Sequence, residues 1–229
     1  RDLLAYLVRR LLENGANSSF VHQMADEAVS AEELLASPLQ ARDDEGQPLP
    51  AALFGASRAN STGADLACLA MREPFERALA SVRVDATAMA SAAEIDTAMS
   101  RLHAGFAAWN ARSLAERAAL LRRAGDALDA RLPEFCALLV KEAHKTLGDC
   151  VAEVREAVDF CRYYAEQAEL RQTGPVQPGC GVFVCISPWN FPLAIFAGQV
   201  VAALVAGNTV AAKPAEQTPV VARRFVALL

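Results

Sequence analysis

Residues 181–216, reading GVFVCISPWNFPLAIFAGQVVAALVAGNTVAAKPAE, constrain the fold more than any other stretch of this chain. The run 181–186 is apolar and β-branched, carries no charge and is bounded by Gly179 and Pro188. It fits a strand buried on both faces inside a sheet. Pro192 stands where a helix can begin without losing a hydrogen bond, and a nearly uncharged segment of helical length runs to Ala206, with Gly207 and Asn208 as its stop. Residues 209–212 form a second β-rich run. Strand, helix and strand in that order make a βαβ unit with parallel strands and a right-handed crossover, so the fold class is α/β.

In open α/β sheets ligands bind beyond the carboxyl ends of the strands. The first strand releases Ser187, Pro188, Trp189 and Asn190 there, and the second releases Lys213 and Glu216. Asn190 is expected just ahead of a helix N-terminus, where free backbone N–H groups and the helix dipole favour negative charge and the side-chain amide adds a donor. An oxygen gathering negative charge can be held at such a place. Each residue also has an ordinary reading: Trp189 and Phe191 as core aromatics, Asn190 as a helix cap, Lys213 with Glu216 as a solvated pair. Their common register with the strand ends favours a site. Lysine is also scarce, three residues against nineteen arginines, which argues against Lys213 as incidental surface decoration.

The string ISPWNFP followed by AGNTVAAKPAEQTP resembles the nicotinamide-binding core of the aldehyde dehydrogenase superfamily, two linked motifs at this spacing. The resemblance implies a Rossmann-type nucleotide-binding domain, of which this chain holds the helix-rich N-terminal part. It further implies that NAD lies along Ile186, Ser187, Pro188 and Trp189, with its adenosine ribose on Lys213 and Glu216. Asn190 then donates to the aldehyde oxygen, and Phe191 lines the aldehyde tunnel. The nucleophilic Cys and the base Glu of that family lie beyond Leu229, so the chain is expected to be a fragment, inactive alone. Cys185 sits in the expected buried strand, where a thiol is inert.

At the other end, residues 2–14 have helical periodicity, with Leu4, Leu7, Val8, Leu11 and Leu12 on one face and Gly15 as C-cap. Arg9 and Arg10 are adjacent, and Glu13 follows Arg9 by one turn; this is either a solvated pair or a paired guanidinium site for a small carboxylate. The segment RDLLAYLVRRLLENGANSSFVHQMAD is similar to the last helix of the (β/α)8 proline dehydrogenase barrel in the bifunctional proline utilization A flavoenzymes. That resemblance implies that Arg9, Arg10 and Glu13 bind proline. Both resemblances in one chain imply FAD-dependent oxidation of proline to pyrroline-5-carboxylate, then NAD-dependent oxidation of glutamate γ-semialdehyde to glutamate. The alternatives are a piece of a monofunctional NAD(P)-dependent aldehyde dehydrogenase and a non-catalytic nucleotide-binding or scaffolding module.

Three regions are expected: residues 1–30 as the end of the proline dehydrogenase domain, 31–64 as a Pro-, Gly- and Ser-rich linker, and 65–229 as the start of the aldehyde dehydrogenase domain. Between Leu66 and Glu169 helical patterns prevail. Ser91 with Glu94 and Ser113 with Glu116 have capping-box spacing, a third helix starts near Pro133, and a fourth follows a break at Leu147 and Gly148. Glu142 and His144 have the option of facing a pocket, with a structural role the plainer reading for the histidine. The six cysteines have neither C-x-x-C pairing nor a His at metal-ligand spacing and read as reduced thiols of a cytoplasmic protein, with no metal site. A net charge of −5 gives no reason to expect nucleic-acid binding by this stretch. The turn-rich residues 172–179 fall where aldehyde dehydrogenases place a hairpin that reaches a partner subunit, which implies a homo-oligomer. Peripheral membrane and quinone contact, NAD against NADP, and the presence of an upstream DNA-binding domain stay open at this level.

Overall fold

The computed structural model describes residues 20–35, 37, 48–172, 174, 175 and 177–229. The chain divides into two compact units, residues 1–47 and 48–229. The described part of the first holds two short helices, α1 (Phe20–Ala25) and α2 (Ala31–Leu34), the second capped by Ser30, whose hydroxyl accepts from the Glu33 N–H. The helix expected over residues 2–14, with Arg9, Arg10 and Glu13, lies outside the described residues.

The second unit opens with a 3₁₀ turn (Pro50–Ala52) and continues α3 (Leu69–Ser81), α4 (Ala92–Asn110), α5 (Leu114–Ala130), α6 (Leu132–Ala143), α7 (Leu147–Leu170), β1 (Val182–Ile186), α8 (Ala194–Val205), β2 (Thr209–Lys213) and α9 (Pro219–Val226). Both expected capping boxes form: the Ser91 and Ser113 hydroxyls accept from the N–H groups of Glu94 and Glu116, whose carboxylates reach back to the cap N–H. Two boundaries differ from expectation. The break before α7 falls at His144, whose φ of 54° ends α6, and Thr146 caps α7, leaving Gly148 inside its first turn. Helix α8 starts at Ala194, with Pro192 in the turn before it.

Helix α7 is the spine of the core. Its buried stripe of Cys150, Val154, Ala157, Val158, Cys161 and Ala165 packs against α5 on one side and α8 on another. Gly198 eases the second contact: a Cβ there would lie 3.1 Å from Cδ2 of Phe160, so any side chain at that point would push the ring by a few tenths of an ångström. Residues 60–62, within the stretch expected to connect domains, are tied to this core. Ser61 donates through its N–H and hydroxyl to Asp159, and Thr62 does the same to Asp129.

The strands pair in parallel, Val182 opposite Thr209 through Ile186 opposite Lys213. The starts of the two strands are sewn together by Asn208, whose Oδ1 accepts from the N–H groups of Cys180 (2.6 Å) and Gly181 (3.2 Å). Gly207, at φ +91° with Asn110 Oδ1 2.7 Å from any added Cβ, makes the turn out of α8 that only glycine accommodates without strain. Buried Arg117 donates to the carbonyl oxygens of Val205, Asn110 and Arg112, and so places a cation at the negative end of α8.

One expectation is corrected. β1 is not covered on both faces: Val184 and Ile186 are 61% and 62% exposed, while Cys185, pointing the other way, is 7% exposed. Among the described residues the sheet has two strands, so β1 keeps an open edge and an open face. An uncharged run reports that a strand can be buried; it does not say what covers it.

Candidate active site

Because β1 and β2 run parallel, both carboxyl ends reach the same rim of the sheet. Ile186 lies opposite Lys213, and the Ser187 N–H extends the ladder by donating to the Lys213 carbonyl oxygen at 3.2 Å. Residues 187–193 then turn away toward α8, and residues 214–218 toward α9. Trp189 and Phe191 are 58% and 41% exposed at this rim, which sets aside their reading as core aromatics. Asn190 is exposed, and its side-chain amide makes no hydrogen bond among the described residues. Lys213 Nζ lies 3.7 Å from Glu216 Oε1 with both side chains more than half exposed, an ion pair that adds little stability and leaves both groups free to engage a ligand. The Ser187 hydroxyl is buried with no hydrogen-bond partner among the described residues. Such an orphan is where a bound polar molecule finds an acceptor or a donor.

The N-terminus of α8 departs from expectation. Its first N–H groups do not await an anion from solution, because Glu153 of α7 already fills the place: Oε1 accepts from Leu193 N–H at 2.9 Å and Ala194 N–H at 3.3 Å. Asn190 therefore stands before the helix rather than capping it. Glu153 is 2% exposed, and its other oxygen is paired with the ammonium of Lys145. Lys145 also donates to the Asn190 carbonyl oxygen at 3.2 Å and sits 4.4 Å from the centre of the Phe191 ring. At the second loop Glu142 acts alike: Oε1 accepts from Val220 N–H at 2.7 Å and Oε2 from Val221 N–H at 2.8 Å, at the start of α9. Burial raises the Glu142 carboxyl above its ordinary range, and these two N–H donors offset only part of that rise. Glu142 thus serves as a remote helix cap, and His144 ends the helix that carries it.

Lys145 and Glu153 were missed by the sequence reasoning, although signals existed. Glu153 interrupts the apolar stripe of α7, one turn after Cys150 and one before Ala157, and a carboxylate at such a place needs a partner. Lys145 is one of only three lysines. Among thiols, burial pushes Cys150 and Cys161 up to about 12 and raises Cys136 and Cys185 as well, so none of these four is a nucleophile at neutral pH.

Comparison with known proteins fits this rim. The aldehyde dehydrogenase family model matches residues 72–229, which covers βαβ unit, rim and supporting helices alike. The chain belongs to the aldehyde dehydrogenase family. Within this aldehyde dehydrogenase chain a second model, proline dehydrogenase, matches residues 1–23. The bifunctional protein PutA of Rhizobium meliloti is 46% identical over 266 aligned residues, spanning 99% of this chain and 21% of that protein. The alignment exceeds the 229 residues of the chain, so the relative carries segments that this one lacks. The 1-pyrroline-5-carboxylate dehydrogenase of Anoxybacillus flavithermus is 47% identical over 146 residues, 58% of this chain and 28% of the relative. A crystal structure of a bifunctional proline utilization A protein superposes with a TM-score of 0.75 at 47% identity, over 99% of this chain and 25% of that one. The chain thus spans about a fifth to a quarter of its bifunctional relatives and covers the junction between their two dehydrogenase parts.

Proposed function

We propose that this sequence is the junction of a bifunctional proline-catabolic oxidoreductase, which oxidises proline to pyrroline-5-carboxylate with FAD and then glutamate γ-semialdehyde to glutamate with NAD. The observation that carries this reading is the occurrence in one chain, in this order, of a proline dehydrogenase match over residues 1–23 and an aldehyde dehydrogenase match over 72–229. A monofunctional aldehyde dehydrogenase accounts only for the second. On this reading residues 1–30 end the first catalytic domain and bring Arg9, Arg10 and Glu13 to proline. Residues 31–64 connect the domains, with 60–62 already fastened to the second, and 65–229 open the aldehyde dehydrogenase domain. Six free thiols support a reducing, cytoplasmic setting. The name of the 1-pyrroline-5-carboxylate dehydrogenase relative supports a small-molecule substrate, and the turn-rich stretch 172–179, where aldehyde dehydrogenases place a hairpin toward a partner, supports a homo-oligomer.

At the rim, the orphaned Ser187 hydroxyl, the free Asn190 amide and the exposed Lys213 and Glu216 fit a nicotinamide dinucleotide. Ile186 to Trp189 would lie along it and Lys213 with Glu216 would hold a ribose. When bound, that cofactor supplies the hydride acceptor. Asn190 donates to the aldehyde oxygen as it gains charge on thiolate attack, with Phe191 walling the aldehyde channel. The attacking thiolate comes from elsewhere in the enzyme, and residues 1–229 alone should yield no NADH from glutamate semialdehyde. In the full-length enzyme, Asn190→Ala should slow acylation by ~10²-fold or more, as loss of an oxyanion donor does elsewhere. Hydride transfer at the wild-type rate in a stopped-flow trace would take Asn190 out of this role.

A further inference from the structure

Asn190 can stabilise a developing oxyanion only if its amide is held where the oxygen will be, yet its own side chain is anchored to nothing among the described residues. The backbone that carries it must therefore be fixed from outside. On the near side, Lys145 donates to the Asn190 carbonyl oxygen at 3.2 Å and lies 4.4 Å from the centroid of the adjacent Phe191 ring. On the far side, Glu153 accepts the N–H groups of Leu193 and Ala194 at 2.9 and 3.3 Å. The two holds are joined, since the remaining oxygen of Glu153 pairs with the Lys145 ammonium. Lys145 belongs to the short connection between α6 and α7, and Glu153 to α7, the spine of the core. The loop is thus tied down at its middle, through Asn190, and at its C-terminal end, through Leu193 and Ala194. The ammonium side chain is 14% exposed and the carboxylate 1%, so their attraction acts with little screening by solvent.

We propose that Lys145 and Glu153 are positioning residues, which orient the Asn190 amide toward the reacting aldehyde oxygen; this rests on the oxyanion-donor reading of Asn190. The pair acts through the loop, Lys145 on the Asn190 carbonyl oxygen and the Phe191 ring and Glu153 on the Leu193 and Ala194 N–H groups. Its contribution is geometric: a donor displaced by about an ångström loses most of its effect, at a cost of up to about 10²-fold in rate. A clamp of this kind acts on the chemical step and leaves dinucleotide affinity alone: of the groups placed along the dinucleotide, Ile186 and Ser187 are held by the strand ladder ahead of the clamped residues, and Lys213 and Glu216 sit on the other loop, which Glu142 secures independently.

The test is a mutant cycle in the full-length enzyme, following single-turnover hydride transfer from glutamate semialdehyde to NAD, with NAD affinity measured separately. Lys145→Met should slow hydride transfer about 10-fold or more with NAD affinity unchanged. Glu153→Gln, which keeps an acceptor for Leu193 and Ala194 but drops the charge partner of Lys145, should cause a smaller loss in the same step. The decisive arm is Lys145→Met combined with Asn190→Ala: once the amide is gone its aim no longer matters, so the second substitution should add little. Equal slowing by Lys145→Met in both backgrounds, or a parallel fall in NAD affinity, would overturn the positioning role, and so would failure of both Lys145→Met and Glu153→Gln to fold. If Asn190→Ala slows hydride transfer but Lys145→Met does not, the clamp fails while the oxyanion reading stands. If Asn190→Ala itself has no effect, the oxyanion reading fails and this inference with it.

Discussion

The two loops that leave the sheet rim solve one problem by different means. Each ends in a helix whose first N–H groups are satisfied by a glutamate from the α6–α7 region: Glu153 for the loop after β1, Glu142 for the loop after β2. Around Glu153 the hold is double and buried, since a lysine joins the carboxylate to the loop backbone and to an aromatic ring. Around Glu142 it is single and only half-buried, and the ion pair ahead of it, Lys213 with Glu216, is open to solvent. The contrast follows the chemistry proposed for each loop. A group that must meet developing charge to within a fraction of an ångström needs a rigid mount, whereas groups that hold sugar hydroxyls tolerate adjustment.

Glu153→Ala should give the largest effect, because it strands a mostly buried ammonium and two helix N–H groups at once. Loss of one partner from a buried ion pair costs about 3–5 kcal/mol, to be read as faster amide hydrogen exchange at Leu193 and Ala194. Near-wild-type protection there would erase the asymmetry between the loops. Glu142→Ala should cost less, about 1–2 kcal/mol for a lost helix cap, confined to the amides of Val220 and Val221. Spread of the effect to residues 193 and 194 would mean that the loops are one unit after all.

The third prediction concerns pH. The Glu142 carboxyl is raised by burial, so the folded chain holds that proton more tightly than the unfolded one does. Its contribution favours folding below the unfolded value, about 4.3, and is lost as pH rises through the higher folded value. Protection of Val220 and Val221 in the wild type should therefore decline relative to Glu142→Gln between about pH 4.3 and neutrality. A difference that stays constant across this window would count against it. The smallest structural effect is expected at the open pair. Glu216→Gln should change stability by less than about 1 kcal/mol, while NAD affinity in the full-length enzyme falls about 10-fold; a large stability loss with unchanged affinity would reverse the roles assigned to the two loops.

Much of this was legible because it is local. Ser91 and Ser113 announce their helices through a glutamate three residues on, and the 181–213 stretch spells strand, helix and strand with its own stop at Gly207. The rim placement of Asn190 and Lys213 followed from parallel strands alone. The filled helix end at α8 was not legible, because its acceptor, Glu153, lies 40 residues upstream of Leu193 and only packing of α7 against α8 brings them together.

What the sequence determined, then, is the order of elements, the direction of the two strands and the identity of the groups set at their ends, since each depends on residues within a few turns of one another. The tertiary structure decided which of those groups is held and which is free: among the described residues it left β1 open on one face, spent Glu153 and Glu142 on helix ends, and left the Asn190 amide unbonded. Burial and charge pairing are properties of neighbours in space, and neighbours in space are fixed only when helices from distant parts of the chain close on one another.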